Sequence, residues 1–167
     1  DPNTTIRYTT NGDEPTATSL AYTGPVSIAT TTVLRAKCFS SIANIPPSFI
    51  ETNTYFINST HTIPVVSISG DDVGTLLGGV QIEPKGAIEY FDENGIMQTE
   101  GAGNFDKHGN DSWAYPQRGV DFVMKDQYGY NYALEHQLFA NTPRDKFQRI
   151  ILKAGASDNY PFEGTAN

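Results

Sequence analysis

Along most of this chain apolar and polar residues alternate, a period of two that predicts strands with one face turned inward. In the first third the pattern predicts strands over residues 5–9, 26–29, 33–39 and 49–57. Turn formers separate them: Asn11-Gly12 can supply the positive φ angles of a tight hairpin, Pro15 cannot donate to a ladder, and Gly24-Pro25 forces a reversal. Within 33–39, Leu34, Ala36 and Cys38 share one face and Arg35 and Lys37 the other, which predicts a buried, structural Cys38. The polar stretch Asn58-Ser59-Thr60-His61 precedes another strand, 63–68, so the chain is expected to divide into units 1–59 and 60–167. The second unit is expected to hold strands at 87–91, 120–124 and 149–154, the last one buried. Its turns are Asp92-Glu93-Asn94-Gly95 and Asp126-Gln127-Tyr128-Gly129. Helical spacing is the minority signal, confined to 71–77 and to 132–139, where Leu134 and Leu138 stand four apart. The fold class expected is mainly β.

Composition narrows the function. Of 167 residues, 38% are apolar, with nine Phe and nine Tyr, enough for a packed core, while 18% charged is too little for a disordered acidic tail. A formal net charge of −8 leaves no basic stripe for phosphates, which argues against nucleic acid as a partner. No apolar run is long enough to predict insertion into a membrane, and the first residues carry no export signal of their own. One cysteine excludes an intrachain disulfide and a Cys-based zinc site. The abrupt opening on a strand and the ending at Gly164-Thr165-Ala166-Asn167 read as the ends of a fragment of a longer polypeptide.

Two stretches resemble known families. Residues Ile6-Arg7-Tyr8-Thr9-Thr10-Asn11-Gly12-Asp13-Glu14-Pro15-Thr16, then Tyr22-Thr23-Gly24-Pro25-Val26 and Thr32-Val33-Leu34-Arg35-Ala36, resemble the chitobiase/β-hexosaminidase C-terminal-like domain without its first strand. The resemblance runs to about residue 57, near Tyr55. It implies an immunoglobulin-like β-sandwich that serves as a spacer or accessory module and carries no active site. From Ile63 onward, Ile63-Pro64-Val65-Val66-Ser67-Ile68-Ser69, the Ala87 to Gly95 segment, His108-Gly109-Asn110-Asp111-Ser112-Trp113 and Ile150-Ile151-Leu152-Lys153-Ala154-Gly155-Ala156-Ser157-Asp158-Asn159 resemble, in order, the opening of the CotH kinase family. That implies a β-rich α+β segment, an incomplete domain of atypical-kinase type. The pairing of modules looks like surface proteins of the Bacteroidetes that leave the cell by type IX secretion, which implies an extracellular or cell-surface location.

The CotH-like resemblance also implies chemistry. Phosphoryl transfer needs cations on the phosphates and carboxylates for magnesium. Arg118 and Lys153 are the candidate nucleotide contacts here, and Mg-ATP is the cofactor expected of a complete domain. The family's basic stretch is reduced to Pro116-Gln117-Arg118-Gly119 and the carboxylates expected downstream are missing, so these residues alone are not expected to act as an enzyme. His108, Asp111 and Ser112 form a possible loop site, in which Asp106 or Asp111 could orient the imidazole, although a loop capped by Asp111 or Ser112 with Trp113 packed on the core is the favoured reading. Gly101-Ala102-Gly103 lacks the remainder of a phosphate loop and reads as a turn. Asp71-Asp72, Asp92 and Asp126 lack calcium-loop spacing, and His61 and His136 lack ligand-spaced partners, so no metal is expected. Tyr115, Tyr128, Tyr130 and Tyr132 could form a sugar-stacking strip, although alternating tyrosines are equally expected from packing against a half-buried sheet. The leading expectation is a structural or interaction module whose partners are other domains of its polypeptide and surface or secretion-system proteins. A secreted kinase and a glycan-binding module are the alternatives.

Overall fold

The computed structural model describes residues 2–154, apart from the side chains of Asp111 and Ser112. Its strands are β1 (Thr4–Thr9), β2 (Leu20–Ala21), β3 (Thr32–Ser40), β4 (Glu51–Tyr55), β5 (Val65–Ser69), β6 (Lys85–Phe91), β7 (Met97–Lys107), β8 (Val120–Met124), β9 (Leu134–Glu135), β10 (Lys146–Phe147) and β11 (Arg149–Leu152). One short helix, α1 (Val73–Leu77), and a 3-10 turn at Asp111–Ala114 complete it. The fold is mainly β and antiparallel, consistent with sandwich packing. A four-stranded sheet has the order β2-β1-β3-β4, a five-stranded sheet the order β11-β8-β7-β6-β5, and β9 pairs with β10.

The apolar core lies in the second sheet. Ile88, Phe105, Val120, Phe122 and Met124 from its strands pack with Val73 and Leu76 of α1 and with Leu134 and Phe147 of the β9–β10 ribbon. Phe105 and Phe122 are directly paired across β7 and β8, with ring centroids 4.7 Å apart and no exposure. In the first sheet the buried side chains include Arg35 and Thr52, a polar pair, and the apolar residues are only partly covered.

Several expectations are corrected. Residues 26–29 alternate in burial but join no ladder: Val26 and Ile28 lie over the outer face of the first sheet, and β2 makes the pairing instead. Gly101-Ala102-Gly103 is no turn but the middle of β7, an 11-residue strand that the sequence reading missed. Gly-rich and polar residues conceal it, yet glycine is what its neighbours require. A Cβ on Gly103 would run into the Val123 carbonyl oxygen, and one on Gly101 into the Met124 side chain. Residues 132–139 form no helix. Leu134 is buried through the two-residue strand β9, whose Glu135 N–H is taken by Thr99 Oγ1 at 3.0 Å. Of the 149–154 segment only Arg149–Leu152 is strand, and among the described residues it lies at a sheet edge on β8 with alternating exposure, Ile151 being 49% exposed. Cys38 is half-buried, since the face of β3 that turns inward is the polar one. The Gly155 to Asn159 part of the CotH-like resemblance lies outside the described residues.

Candidate functional site

The polar face of the first sheet meets the second sheet through a chain of hydrogen bonds. Thr54 of β4 donates its backbone N–H to Glu89 Oε1 at 2.9 Å and its hydroxyl to Glu89 Oε2 at 2.6 Å, and the same hydroxyl lies 2.7 Å from Ser67 Oγ. Glu89 is only 3% exposed, so both oxygens of a buried carboxylate are engaged from the opposite sheet. Phe56 packs edge-on against Phe91 at 5.0 Å, and the Glu14 N–H reaches Asp71 Oδ1. Arg35, 4% exposed, holds the near side by donating to Thr52 Oγ1 at 3.3 Å and to the Gly12 carbonyl at 3.2 Å. Burial draws its guanidinium below the ordinary value, opposed by the charges of Glu14, Asp71, Asp13 and Glu89.

Beside these bonds lies a cleft of about 470 Å³, lined from the first sheet's unit by Glu14, Arg35, Lys37 and Phe49 and from the second by Asp71, Asp72, Lys85 and Tyr128. Lys37 Nζ bonds Glu14 Oε1 at 2.7 Å, and Lys85 Nζ stands 5.4 Å from the Tyr128 ring centroid. Partial burial pushes the Glu14 carboxyl up, but the Lys37 hydrogen bond with the charges of Lys37, Lys85 and Arg35 outweighs it and holds the group below the usual carboxylate range. Next to the junction Glu89 stands directly opposite Glu100. Burial first, then the charges of Glu89 and Glu51, push the Glu100 carboxyl up.

The residues singled out in the sequence gather elsewhere, at one corner of the second sheet. Lys107 pairs with Val120 and Val120 with Leu152, so His108, Arg118 and Lys153 all flank the same strand ends. Arg118 Nη1 donates to the Leu77 carbonyl at 2.7 Å, and its guanidinium and Lys107 Nζ stand 5.8 and 5.4 Å from the Trp113 ring centroid. Trp113 Nε1 is fixed on the Gly119 carbonyl at 3.2 Å, and Lys153 is exposed. His108 does meet a carboxylate, though neither Asp106 nor Asp111: its Nδ1 lies 3.3 Å from Oδ1 of Asp121, whose Oδ2 takes Arg149 Nη2 at 2.5 Å. The Asp111 and Ser112 side chains lie outside the described residues. The tyrosines make no strip along a strand. Tyr128 lines the cleft, Tyr130 is 73% exposed against the edge of Phe49, Tyr132 sits under Lys146, and Tyr115 follows the 3-10 turn. Among the described residues no three or more His, Cys, Asp or Glu are grouped to hold a metal ion.

Glu89 and Asp121 escaped the sequence reading. Each is the charged member of an otherwise apolar strand, Ala87-Ile88-Glu89-Tyr90-Phe91 and Val120-Asp121-Phe122-Val123-Met124, and a carboxylate there needs a partner. That was the available signal.

The stretch that builds β1 to β3 can be placed by comparison. Residues 1–46 match the family model of the chitobiase/beta-hexosaminidase C-terminal domain. The matched stretch contributes Glu14 and Arg35 to the cleft and stops before β4 and its Thr54. No curated protein and no solved structure matches the chain.

Proposed function

We propose that this segment is a structural and interaction unit of an exported surface polypeptide, in which a carbohydrate-associated accessory module and a CotH-like opening, meeting near residue 60, are joined as one stiff body. The observation that carries this reading is Glu89: a carboxylate on the second sheet, nearly excluded from water, whose hydrogen-bond donors come from Thr54 of the first sheet. Losing either partner leaves a buried polar group unsatisfied, so the two sheets gain by staying docked. A spacer needs that property, and the family matched over residues 1–46 supports an accessory role. Calorimetry of the whole chain tests it. One transition is expected, with equal calorimetric and van't Hoff enthalpies, and two separated transitions would contradict it.

A second reading, the opening part of a secreted CotH-type kinase, is supported by the backbone register that brings the segments carrying Arg118 and Lys153 to the same end of the second sheet. These cations suit phosphate oxygens. For a longer polypeptide that carries the complete domain, Mg-ATP is expected to raise the melting temperature if that reading holds, with the gain lost in Arg118→Ala and Lys153→Ala. An unchanged melting curve would remove it.

A further inference from the structure

The cleft between the sheets has a composition that the docking role does not use. Its charged lining is balanced, with Glu14, Asp71 and Asp72 against Arg35, Lys37 and Lys85, and Phe49 and Tyr128 add two rings. Part of that set is already spent: Glu14 and Lys37 pair with each other, Asp71 accepts from the Glu14 backbone, and Arg35 is tied to Thr52 and Gly12. What projects toward solvent is Asp72, Lys85 and Gln127, while Tyr128 is half-buried with Lys85 Nζ over its ring at 5.4 Å from the centroid. Asp72 precedes α1 without making a side-chain capping bond. The volume of about 470 Å³ lies within the range of roughly 300–1,000 Å³ that holds small ligands.

We propose that this cleft binds a short, uncharged oligosaccharide, with one ring taking the place of the Lys85 ammonium on Tyr128 and its hydroxyls bonded by Asp72, the displaced Lys85 and Gln127. The charge balance decides the class. A sugar hydroxyl both donates and accepts, so it matches a wall holding an acceptor carboxylate, a donor ammonium and an amide that does both. An anionic ligand would face Asp72 and a cationic one Lys85, each at a cost that a neutral ligand avoids. The aromatic rings add an apolar face suited to the C–H side of a pyranose, and a cleft between two docked units is a common place for such a site.

The test is a titration of the whole chain, followed by amide NMR shifts, with neutral tetramers of glucose, mannose and N-acetylglucosamine and with the charged tetramers of galacturonate and glucosamine as comparisons. At least one neutral tetramer is expected to move the amides of Lys85, Gln127 and Tyr128 in a saturable way below about 10 mM. Tyr128→Ala is expected to weaken it about tenfold or more, and Tyr128→Phe to keep it within about twofold. Because Tyr128→Ala could disturb the adjoining turn, Asp72→Ala serves as a second variant on an exposed position and is also expected to weaken binding. The proposal is overturned if no neutral tetramer shifts these amides, if the shifts map instead to the outer groove around Ile6 and Tyr22, if a charged tetramer binds more tightly, or if both alanine variants bind as the parent does.

Discussion

Arg35 shows how a single side chain sets which way a strand faces. The alternation in β3 places Leu34, Ala36 and Cys38 opposite Arg35 and Lys37, and hydrophobicity alone would bury the former set. The structure buries Arg35, because Thr52 and the Gly12 carbonyl accept its hydrogen bonds and four carboxylates surround it. Arg35→Ala is therefore expected to cost about 2–4 kcal/mol in urea unfolding. Lys37→Ala, which breaks a partly exposed pair with Glu14, should cost roughly 1 kcal/mol or less. Equal losses would contradict the assignment. Glu100 gives a pH test. Its carboxyl is pushed up, so the folded chain holds that proton more tightly than the unfolded chain. The contribution is favourable below the ordinary glutamate range of about 4.3 and is lost as pH rises through the raised value. Glu100→Gln should therefore melt higher than the parent at neutral pH, and the gap should close toward about pH 4. A gap that stays constant with pH would show that the carboxyl is not strained. Periodicity revealed the two faces of β3; it could not reveal which one docks, since that depends on acceptors distant in the chain.

At the scale of elements, the strands that could be read from the sequence were those with regular apolar alternation, and β8 was foreseen with its observed bounds. β7 was not, because Gly101 and Gly103 carry no pattern at all and their use is visible only once Met124 and Val123 lie against them. Gly103→Ala is expected to destabilise by roughly 2–3 kcal/mol, since its Cβ would meet backbone across the β7–β8 ladder. Gly24→Ala has open space around the new methyl and should change stability by no more than about 0.5 kcal/mol. Chemical denaturation of both variants checks the contrast, and similar values would contradict the packing of β7. The loss of the expected 132–139 helix has a related cause. Two leucines four apart fit a helix, but Leu134 gains more by entering the core on a short strand bonded to Thr99 and paired with Phe147. Of the candidate residues, His108, Arg118 and Lys153 stood out singly in the sequence, whereas their placement at one end of the second sheet, with Asp121 beside His108, follows only from strand register.

For the whole molecule, the uneven division of the core matters most. The second sheet and the elements packed on it have Phe105, Phe122, Leu76 of α1 and Leu134 of β9 fully buried, while the first sheet places a polar, hydrogen-bonded face against its neighbour. The first sheet should depend on that docking for its stability. Native-state hydrogen exchange across the described strands measures this most directly, with the amides of β3 read against those of β6. If the sheets form one body, the most protected amides of both will open with the same free energy and the same denaturant dependence, and Glu89→Ala will lower the β3 values more than the β6 values. Opening of β3 at a much lower free energy than β6 in the parent chain, unmoved by Glu89→Ala, would contradict the account.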